Sequence, residues 1–389
     1  MCRPVFLAWE GQCWALEGQK INKVYVVLVN YNNWHDTIEC IESLFKLKYP
    51  NFQIVVVDNH SLNNSIEYLK LWAEGKLDVW IDPENPLRKL SFPPISKPVQ
   101  YTLYKDSEFE SRSVLNDDGL IFIQSVYNGG FSFGNNLGIK YVLKKGDVDF
   151  FWFLNNDTVV DNNALTHALE VFDYDNKIGL VGSKILYYYN ISTIQALCGC
   201  KKIIPWDNNS FKWISFNTKD SQNCIKSFEI EGALFGASII ARKECLIETG
   251  FFDENYFMQV EEDDFCYMTR KHGWKIFCCC KSMLYHKVGA STGNGTIKSF
   301  FGRKSLRNNF KRFLQTPCLH LRNRIYFTKK FFGTFYFYLF LIINFYLVLR
   351  LIFGIIIYDD EKLKRIKFLL IAVFDGIRGK MGKPEWINS

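Results

Sequence analysis

Residues 24–59 read VYVVLVNYNNWHDTIECIESLFKLKYPNFQIVVVDN and decide the fold class. Residues 24–29 form a continuous apolar, β-branched run, the pattern of a strand that is buried on both faces. Residues 37–47 have apolar side chains at helical spacing, and residues 53–57 form a second buried strand. A strand, a helix and a strand in about 35 residues make a βαβ unit. The sequence therefore predicts an α/β fold with a mostly parallel central sheet flanked by helices.

The same patterns recur along the chain and extend the sheet. Further strands are predicted at residues 120–125, 150–154, 178–181, 233–241 and 274–278. Further helices are predicted after a glycine-rich turn within residues 128–143, at residues 164–172 and at residues 265–272. Residues 80–118 are rich in Pro, Ser and charge, so we predict a long, lid-like insertion there.

Length and composition allow one large domain with an appendage. The chain has 389 residues, of which 48% are hydrophobic and 17% aromatic, enough for a sizeable core. The net charge of +7 is too modest to imply nucleic acid by itself, and no nucleic-acid partner is predicted.

The twelve cysteines do not follow a disulfide or zinc pattern. Cys278, Cys279 and Cys280 are consecutive, and Cys198 and Cys200 are separated by one residue, whereas zinc ligand pairs need wider spacing. We therefore predict reduced, mostly buried thiols in a cytosolic protein.

The first residues, MCRPVFLAWEGQCWALEGQK, do not resemble a secretory signal. They lack a continuous apolar stretch and contain Glu10 and Glu17. Residues 1–21 are predicted to be a dispensable extension, with the fold beginning near Ile21.

Polar side chains stand where the predicted strands end. Asn30 and Asp58 follow the first two strands, and FWFLNNDTVV, residues 151–160, interrupts an apolar run with Asn155, Asn156 and Asp157. Ligands bind at the carboxyl ends of the strands in such sheets. A carboxylate beside amides suits Mg²⁺ or Mn²⁺, which take few protein oxygens and complete their shells with phosphates and water. The alternative, that these residues only cap the next helix, remains open.

A second feature is the glycine-rich turn NGGFSFGNNLGI, residues 128–139. Its glycines, Gly129, Gly130, Gly134 and Gly138, offer close backbone approach to an anionic ligand at a helix N-terminus. Most turns of this kind are purely structural, and that interpretation also remains open.

The third feature is YFMQVEEDDFCYMTRKHGW, residues 256–274, where four acids precede a predicted helix. Crowded carboxylates raise one another's pKa values, which suits a general base but costs stability. A solvated helix N-terminus is the alternative, but the apolar flanks favour a functional site. His286, just beyond the last predicted strand, could complete a metal or diphosphate site.

These blocks together resemble family 2 glycosyltransferases, particularly a rhamnosyltransferase-like branch. The blocks are VYVVLVNYNNWHDTIECIESL, IVVVDNHS, NGGFSFGNNLGI, FWFLNNDTVVD, GALFGASIIARKE, GFFDENYFMQVEEDDFCYMTRKHGW and YHKVGAST, in this order over residues 22–293. The terminal FDGIRGKMGK resembles the tail of that branch. The resemblance implies a GT-A fold and inverting transfer from a nucleotide-diphosphate sugar.

The resemblance also assigns roles to individual residues. The nucleotide-sugar would be bound by a set of strand-end and loop residues, namely Asn30, Tyr31, Asp58, Asn128, Gly130, Asn136, Asn155 and Asn156. Asp157 would bind the Mg²⁺ or Mn²⁺ ion in the family's D-x-D-type motif, although Asn155 stands where many members have Asp. His286 would be a further metal or diphosphate contact.

The family's acidic motif aligns with Glu261 and Glu262. Glu262 would be the catalytic base, with Glu261, Asp263 and Asp264 as competing candidates. The resemblance divides the domain of residues 22–293 into a nucleotide-binding part, about 22–160, and an acceptor-binding part, about 161–293.

Residues 294–389 are predicted to form a basic and apolar membrane-associated region of helices. Residues 296–332 contain no Asp or Glu, and residues 331–349 are uncharged, with a length near the ~20 residues that span a bilayer. Arg350 and Gly354 are expected to interrupt this stretch, and a second apolar run covers residues 368–374. Basic residues flank it on both sides, which favours a re-entrant hairpin or interfacial helices on the cytoplasmic face over a single crossing. A buried helix that mediates a homodimer is the alternative.

The sequence thus predicts a membrane-associated, metal-dependent inverting glycosyltransferase at the cytoplasmic face of the cell membrane. Its partners would be a nucleotide-diphosphate sugar donor and a lipid-linked saccharide acceptor in surface polysaccharide synthesis. A nucleotidyltransferase acting on sugar phosphates and a non-catalytic sugar-nucleotide or glycan-binding protein are the alternatives. Neither alternative accounts as well for Asp157 together with the acids around Glu262.

Overall fold

The computed structural model describes residues 21–116, 118–200, 214–220, 224, 226–288, 313–359 and 361–388. Nearly all of the predicted N-terminal extension, and the basic residues between 298 and 312, lie outside these ranges. The described residues form a twelve-stranded mixed sheet flanked by helices, followed by a C-terminal group of helices.

The first half of the sheet is wholly parallel. Its strands are β1 (Val24–Asn30), β2 (Phe52–Asp58), β3 (Tyr101–Lys105), β4 (Leu120–Gln124) and β5 (Phe150–Asn155), in the spatial order β3-β4-β2-β1-β5. Asn30 pairs with Asp58, and Val29 pairs with Asn155, so the polar strand ends meet at one edge as predicted.

Helices cover both faces of this parallel part. They are α1 (Trp34–Leu44), α2 (Ser65–Ala73), α3 (Arg88–Ser91), α4 (Gly130–Lys145) and α5 (Ala164–Phe172). Alternate residues of β1 enter two separate cores: Val24 and Val26 pack in the core that contains α1, whereas Tyr25 and Val27 pack in the core that contains α4. A strand buried on both faces needs apolar residues at every position, which explains the unbroken apolar run.

The second half of the sheet mixes strand directions. Its elements are β6 (Thr158–Val160), β7 (Ile178–Tyr187), β8 (Asn190–Leu197), β9 (Thr218–Lys219), β10 (Phe228–Glu229), β11 (Ser238–Arg242), α6 (Lys243–Thr249), α7 (Glu261–Lys271) and β12 (Lys275–His286). Strand β11 lies antiparallel between β5 and β7, so the two predicted parts of the domain share one continuous sheet. The end of β12 pairs with β6, with Thr158 opposite His286.

Two predicted boundaries are wrong. Residues 80–118, predicted as a long, lid-like insertion before the sheet resumes, contain α3 and β3, and β3 already belongs to the sheet as an edge strand paired with β4. Helix α7 begins at Glu261 rather than Phe265, so the four acids form its first turn instead of preceding it. Acidic side chains are favoured in a first turn by the helix dipole, which the apolar periodicity alone does not reveal.

The C-terminal region contains three long helices. They are α8 (His320–Phe331), α9 (Gly333–Tyr358) and α10 (Lys362–Arg378), and they share an apolar core of their own. Arg350 and Gly354 interrupt the apolar run but not the helix, since α9 continues through both residues to Tyr358. Gly354 does not end the helix, because a single Gly in a helix interior lowers helix stability by only about 1 kcal/mol relative to Ala.

Helix α9 is long and apolar enough to cross a membrane. Its most apolar window has a mean hydropathy of 2.5, and only 22% of that window is buried. The core helix of a soluble protein would be mostly buried, so this exposure favours a lipid environment. The helix has 26 residues and is therefore about 39 Å long.

The cysteines only partly match the prediction of reduced thiols. Six described cysteines are free and buried, namely Cys40, Cys200, Cys245, Cys266, Cys279 and Cys318. Cys198 and Cys278, however, form a disulfide, as do Cys224 and Cys280. Spacing could not reveal these pairs, because their members are 80 and 56 residues apart and meet only through the sheet.

Candidate active site

The ends of β1 and β2 are joined by a buried polar network. Asn30 Nδ2 donates to Asp58 Oδ1 at 2.7 Å, and Ser61 Oγ donates to the same carboxylate oxygen at 2.6 Å. Both Asn30 and Asp58 are almost fully buried. The network fixes the direction of the Asp58 carboxylate at the edge where we predicted the nucleotide. Tyr31, the next residue along, is half-buried.

Asn156 connects the end of β5 to this network. Its Nδ2 donates to Asn30 Oδ1 at 3.2 Å and to Thr37 Oγ1 at 2.7 Å. The N-terminal part of α1 is thereby fixed to two strand ends. The side-chain amide of Asn156 is thus engaged in hydrogen bonds inside the protein, and it does not cap α5.

Asp157 and His286 face each other across the β6–β12 pairing. His286 Nε2 lies 3.0 Å from Asp157 Oδ1 and 3.4 Å from Asn155 Nδ2. On the other side of the ring, Nδ1 lies 2.8 Å from Gln195 Oε1. Since an amide oxygen can only accept, Nδ1 carries a hydrogen, and Nε2 faces Asp157 either as a proton donor or as a lone pair for a cation.

This arrangement fits a divalent cation. Burial by itself raises the pKa of Asp157, but the contact with His286 and the charge of Lys287 lower it below its ordinary value, so the carboxylate is ionised at neutral pH. A ring nitrogen fixed by a hydrogen bond on its far side is the usual state of a metal-binding histidine. The described residues contain no group of three or more His, Cys, Asp or Glu side chains that could hold a metal. A cation here would therefore take two protein ligands and complete its shell with phosphate and water.

Lys287 ties this corner of the site to α1. Its backbone N–H donates to the Asp157 carbonyl at 2.9 Å, and its ammonium group contacts Asp36 and Glu39. Burial opposes the charge, but these two carboxylates raise the pKa of Lys287. The ion pairs therefore hold the end of β12 against the helix that follows Asn30.

The residues of the glycine-rich turn have two different roles: Asn128 and Gly130 lie at the candidate site, whereas Gly134 and Gly138 pack against the sheet. Asn128 Oδ1 accepts from Gly130 N at 3.0 Å and from Asn59 Nδ2 at 3.1 Å, which places the turn beside the end of β2. Gly134 and Gly138 do not face a ligand. A Cβ at either position would collide with Val29 or Val27 of β1, so these two glycines let α4 pack closely on the sheet.

Asn136 has its amide engaged inside the protein. Its Nδ2 donates to the Phe252 carbonyl and to Glu254 Oε1, each at 2.8 Å, and its Oδ1 accepts from Phe252 N at 3.1 Å. These bonds hold α4 against the loop that leads to α7. Its assignment to nucleotide binding stays a prediction.

The four acids of α7 have unusual environments. Burial, together with Glu262, raises the pKa of Glu261 and Asp263 well above the ordinary value for each. Burial raises the pKa of Glu262 to about 6. Burial also raises the pKa of Asp264 to about 6, although its ion pair with Lys330 at 2.6 Å opposes the shift. Asp264 is thus occupied by a structural partner, whereas Glu261 Oε2, Glu262 Oε2 and Asp263 Oδ1 have no hydrogen-bond partner among the described residues.

Glu262 lies beside the loop that supports Asn155. A Cβ placed on Gly236 would come within 3.5 Å of Glu262 Oε1, and the adjacent Ala237 carbonyl accepts from Asn155 N at 3.0 Å. The acidic helix and the end of β5 therefore flank the same short loop. This contact brings the predicted base to the edge that carries Asp157.

Sequence reasoning missed two residues of this site. Asn59, which links β2 to the glycine-rich turn, directly follows Asp58 in IVVVDN, and its position was a usable signal. Gln195, the partner of His286, lies in β8, a strand that was not predicted. No local pattern marked it.

The family comparison supports this geometry. The protein-family model for "Glycosyl transferase family 2" matches residues 25–85, a range that includes Asn30, Asp58 and Asn59. The chain is thus similar to this family over its first βαβ unit. The predicted resemblance to the family is confirmed, and the rhamnosyltransferase-like branch stays a prediction.

The individual relatives of this chain are distant. It is 21% identical over 288 residues to the low-salt glycan biosynthesis hexosyltransferase Agl10 of Haloferax volcanii, covering 72% of this chain and 82% of that protein. Among solved structures it is similar to GalNAc-T7 with UDP, GalNAc and Mn²⁺, at 15% identity and a TM-score of 0.47, covering 69% of this chain and 44% of that one. It is also similar to the mannosyltransferase PcManGT of Pyrobaculum calidifontis in complex with GDP-Man and Mn²⁺, at 13% identity and a TM-score of 0.45. This similarity covers 90% of this chain and 73% of the PcManGT chain. The chain thus spans less than half the length of the GalNAc-T7 chain.

Proposed function

We propose that this protein is a membrane-associated, metal-dependent inverting glycosyltransferase. It transfers a hexose from a nucleotide-diphosphate donor to a lipid-linked saccharide acceptor in surface polysaccharide synthesis. The observation that carries the proposal is the meeting of three features at one sheet edge: the Asn30–Asp58 network, the Asp157–His286 pair and the Glu262 carboxylate, whose Oε2 atom has no hydrogen-bond partner among the described residues. The family match and the distant relative, named as a hexosyltransferase of glycan biosynthesis, support the same reaction class.

The donor nucleotide is bound between the ends of β1 and β2 and the glycine-rich turn. Asn30 and Ser61 fix the Asp58 carboxylate: Oδ1 accepts from both side chains and Oδ2 accepts from Ser61 N at 3.2 Å, which leaves a second lone pair of Oδ2 to accept from a ribose or base. The N-terminus of α4, a helix of 16 residues, adds a favourable dipole for the diphosphate. Asn59 keeps the turn beside Asp58, which brings the two contacts to one ligand.

Asp157 and His286 would hold the divalent cation, with Gln195 orienting the imidazole. When bound, such an ion supplies positive charge next to the departing diphosphate. The residues of the chain orient the donor so that its anomeric carbon faces the loop at Gly236.

Glu262 acts as the general base. It accepts the proton of an acceptor hydroxyl, and the hydroxyl oxygen forms the new bond to the anomeric carbon as the bond to the nucleotide diphosphate breaks. A pKa of about 6 leaves this carboxylate ionised at neutral pH yet basic enough to take the proton. Attack from the side opposite the leaving group inverts the anomeric configuration.

The C-terminal helices bring the catalytic domain to a membrane. Helix α9 exposes apolar and aromatic side chains, among them Phe335, Ile342 and Phe345, each more than 60% exposed. Basic residues precede and follow it, which favours the cytoplasmic face, where anionic lipids concentrate. A membrane-bound transferase suits an acceptor carried on a lipid.

The proposal is tested by donor binding and by product analysis. Thermal unfolding of the detergent-solubilised full chain is measured with UDP-, dTDP- and GDP-sugars, with and without Mn²⁺ or Mg²⁺. dTDP-rhamnose is the first donor to test because of the branch resemblance. We expect one nucleotide class to raise the unfolding temperature, and more strongly with metal, because a cation held by Asp157 and His286 would supply positive charge to the diphosphate. Mass spectrometry of lipid-extract acceptors then identifies the added sugar.

His286→Ala provides the decisive variant. It should abolish the metal-dependent part of the stabilisation and leave the metal-independent part. The matched control is His167→Ala, because the His167 ring contacts the Lys281 carbonyl at 3.1 Å, away from Asp157. Equal metal dependence in His286→Ala and wild type would reject the cation site, and a lack of response to every donor would reject the transferase.

A further inference from the structure

The segment directly before the acidic helix is strained. Gln259 and Val260 have φ angles of +70° and +75°. Left-handed backbone is costly for residues other than glycine, most of all for a β-branched valine. Two consecutive residues in this region keep that conformation only if contacts from elsewhere hold them. Val260 is the N-cap position of α7, so the conformation of this segment sets where the Glu262 carboxylate lies.

Those contacts come from the C-terminal region. Asn323, in α8, is fully buried, and its Nδ2 donates to the carbonyls of Met258 at 2.8 Å and Gln259 at 2.7 Å. Its Oδ1 accepts from Arg322 Nε at 3.0 Å, so every polar atom of the amide is used and its orientation is fixed. A single side chain thus binds the peptide units on both sides of Gln259, the second of which leads into Val260.

The remaining contacts of the segment come from both sides. Phe131 N, next to the glycine-rich turn, donates to the Phe257 carbonyl at 2.8 Å. On the opposite side, Lys330 of α8 bridges Asp253 at 2.8 Å and Asp264 at 2.6 Å. The segment therefore lies between the donor-binding turn and the helix that precedes the apolar α9.

We infer that Asn323 is a positioning residue for the catalytic base, and that α8 is part of the active-site framework as well as of the membrane-associated region. This inference rests on the proposed function, because it assigns to Asn323 the placement of Glu262. Loss of the two hydrogen bonds lets residues 258–260 relax toward ordinary backbone angles. The carboxylate then moves away from the acceptor hydroxyl, while the donor site at Asp58 and Asp157 is untouched.

The experiment compares Asn323→Ala and Asn323→Asp with wild type in the full-length, detergent-solubilised protein. Asp has the shape of Asn and can still accept from Arg322, but it cannot donate to the two carbonyls, so it tests the bonds even if the Ala variant fails to fold. The control is Lys329→Gln, because Lys329 lies on the same helix but donates only to the Ile377 carbonyl. Hydrogen–deuterium exchange of residues 256–264 and the kinetics of sugar transfer are both measured.

We expect faster exchange in residues 256–264 for both Asn323 variants. The kcat should fall on the order of 10- to 100-fold, since small misplacements of a catalytic group have effects of this size. The KM for the donor should stay within about twofold of wild type, as expected when an interaction specific to the transition state is lost. Lys329→Gln should match wild type in every measurement.

The outcomes separate the inference from the proposed function. A folded Asn323→Asp protein with unchanged exchange or unchanged kcat overturns the positioning role. A rise of the donor KM together with the fall of kcat would mean that Asn323 stabilises the fold in general. That outcome also overturns the positioning role. A wild-type protein without transfer activity overturns the proposed function, whereas the exchange measurement still decides whether Asn323 holds the segment.

Discussion

At the scale of single residues, the site holds two carboxylates in opposite electrostatic environments. His286 and Lys287 outweigh the burial of Asp157 and lower its pKa, whereas burial without a cationic partner raises the pKa of Glu262 to about 6. Pairs of acids whose surroundings push their pKa values apart commonly divide the work of a reaction. Here the ionised acid would hold the cation and the more basic acid would take the proton.

Glu262→Gln should abolish transfer and stabilise the protein. The amide cannot accept a proton, so turnover is lost, while donor binding at Asp58 and Asp157 remains. Since the folded-state pKa of Glu262 is raised, the charged carboxylate destabilises the fold as pH rises from about 4.5 through about 6, by about 2 kcal/mol at most. The unfolding temperature of the variant should therefore exceed that of wild type at pH 8 and approach it at pH 4.

Glu244→Gln is the matched control, because Glu244 is exposed in the first turn of α6. It should change neither activity nor the pH dependence of stability. Wild-type transfer should rise with pH to a plateau with a midpoint near 6. Substantial turnover by Glu262→Gln would exclude Glu262 as the base and turn attention to Glu261.

Much of the site could be predicted at this scale because the polar strand ends are local signals. Asn30 and Asp58 each directly follow an apolar run, and Asp157 lies three residues after the end of another. The base could not be chosen among four consecutive acids from sequence. The choice depends on Lys330, which occupies Asp264 from a helix 66 residues away, and on the burial that raises the pKa of Glu261 and Asp263 well above the ordinary value for each.

At the scale of elements, the closest contact in the site joins α4 to the segment before α7. Gly130 begins α4 with a φ of +87°, and a Cβ there would lie only 1.8 Å from the Phe257 carbonyl oxygen. The donor-binding turn and the strained segment therefore touch through backbone atoms. This contact tolerates no side chain.

Gly130→Ala should destabilise the protein and weaken donor binding. Comparison with Gly146→Ala separates the cost of the left-handed backbone from the cost of the collision with the Phe257 carbonyl. Gly146 ends α4 with a φ of +85° but has open space around it. Its substitution should cost only the backbone strain, about 1 kcal/mol of unfolding free energy. Gly130→Ala should add ~1–3 kcal/mol from the collision and reduce the donor-induced thermal shift. Equal effects of the two substitutions would contradict the contact.

Element prediction succeeded where periodicity is strong and failed where tertiary contacts decide. Helix α5 was predicted with its observed bounds, and β1, β2 and β5 were predicted to within a residue at each end. Strand β3 was missed because it is a half-exposed edge strand of five residues amid Pro and charge. The start of α7 was missed because polar residues carry no apolar periodicity.

At the scale of the whole molecule, the catalytic domain and the helical region are joined by polar contacts. Arg322 Nη1 donates to the Gly382 carbonyl at 3.0 Å, and Gly382 N donates to the Asn255 carbonyl at 2.8 Å. The tail after α10 thus returns to the loop before the active site. The sequence predicted two adjoining regions but not this return, which depends on how α8 and α10 pack.

Charging the exposed face of α9 should release the protein from membranes. Ile342 and Phe345 are 69% and 65% exposed, and a charged residue at the centre of a membrane helix costs about 3 kcal/mol. The double variant Ile342→Glu/Phe345→Glu should move from the pellet to the supernatant after an alkaline carbonate wash, while wild type stays in the pellet. Trp80→Glu, which changes a 73% exposed residue of the catalytic domain, is the control and should behave as wild type.

Retention of the folded double variant in the pellet would show that this face does not contact lipid. Release of wild type by carbonate would mean peripheral attachment. Sedimentation in detergent then tests the alternative of a helix that mediates a homodimer.

The length of α9 has a mechanical consequence. A helix about 39 Å long exceeds the hydrocarbon thickness of about 30 Å, so a crossing helix must incline by roughly 40° to bury its apolar length. Helix α8 packs against it and would follow any change of inclination. Bilayers of different thickness would then orient the sugar-transfer edge differently toward the lipid headgroups, so acyl-chain length becomes a variable to control when acceptors are compared.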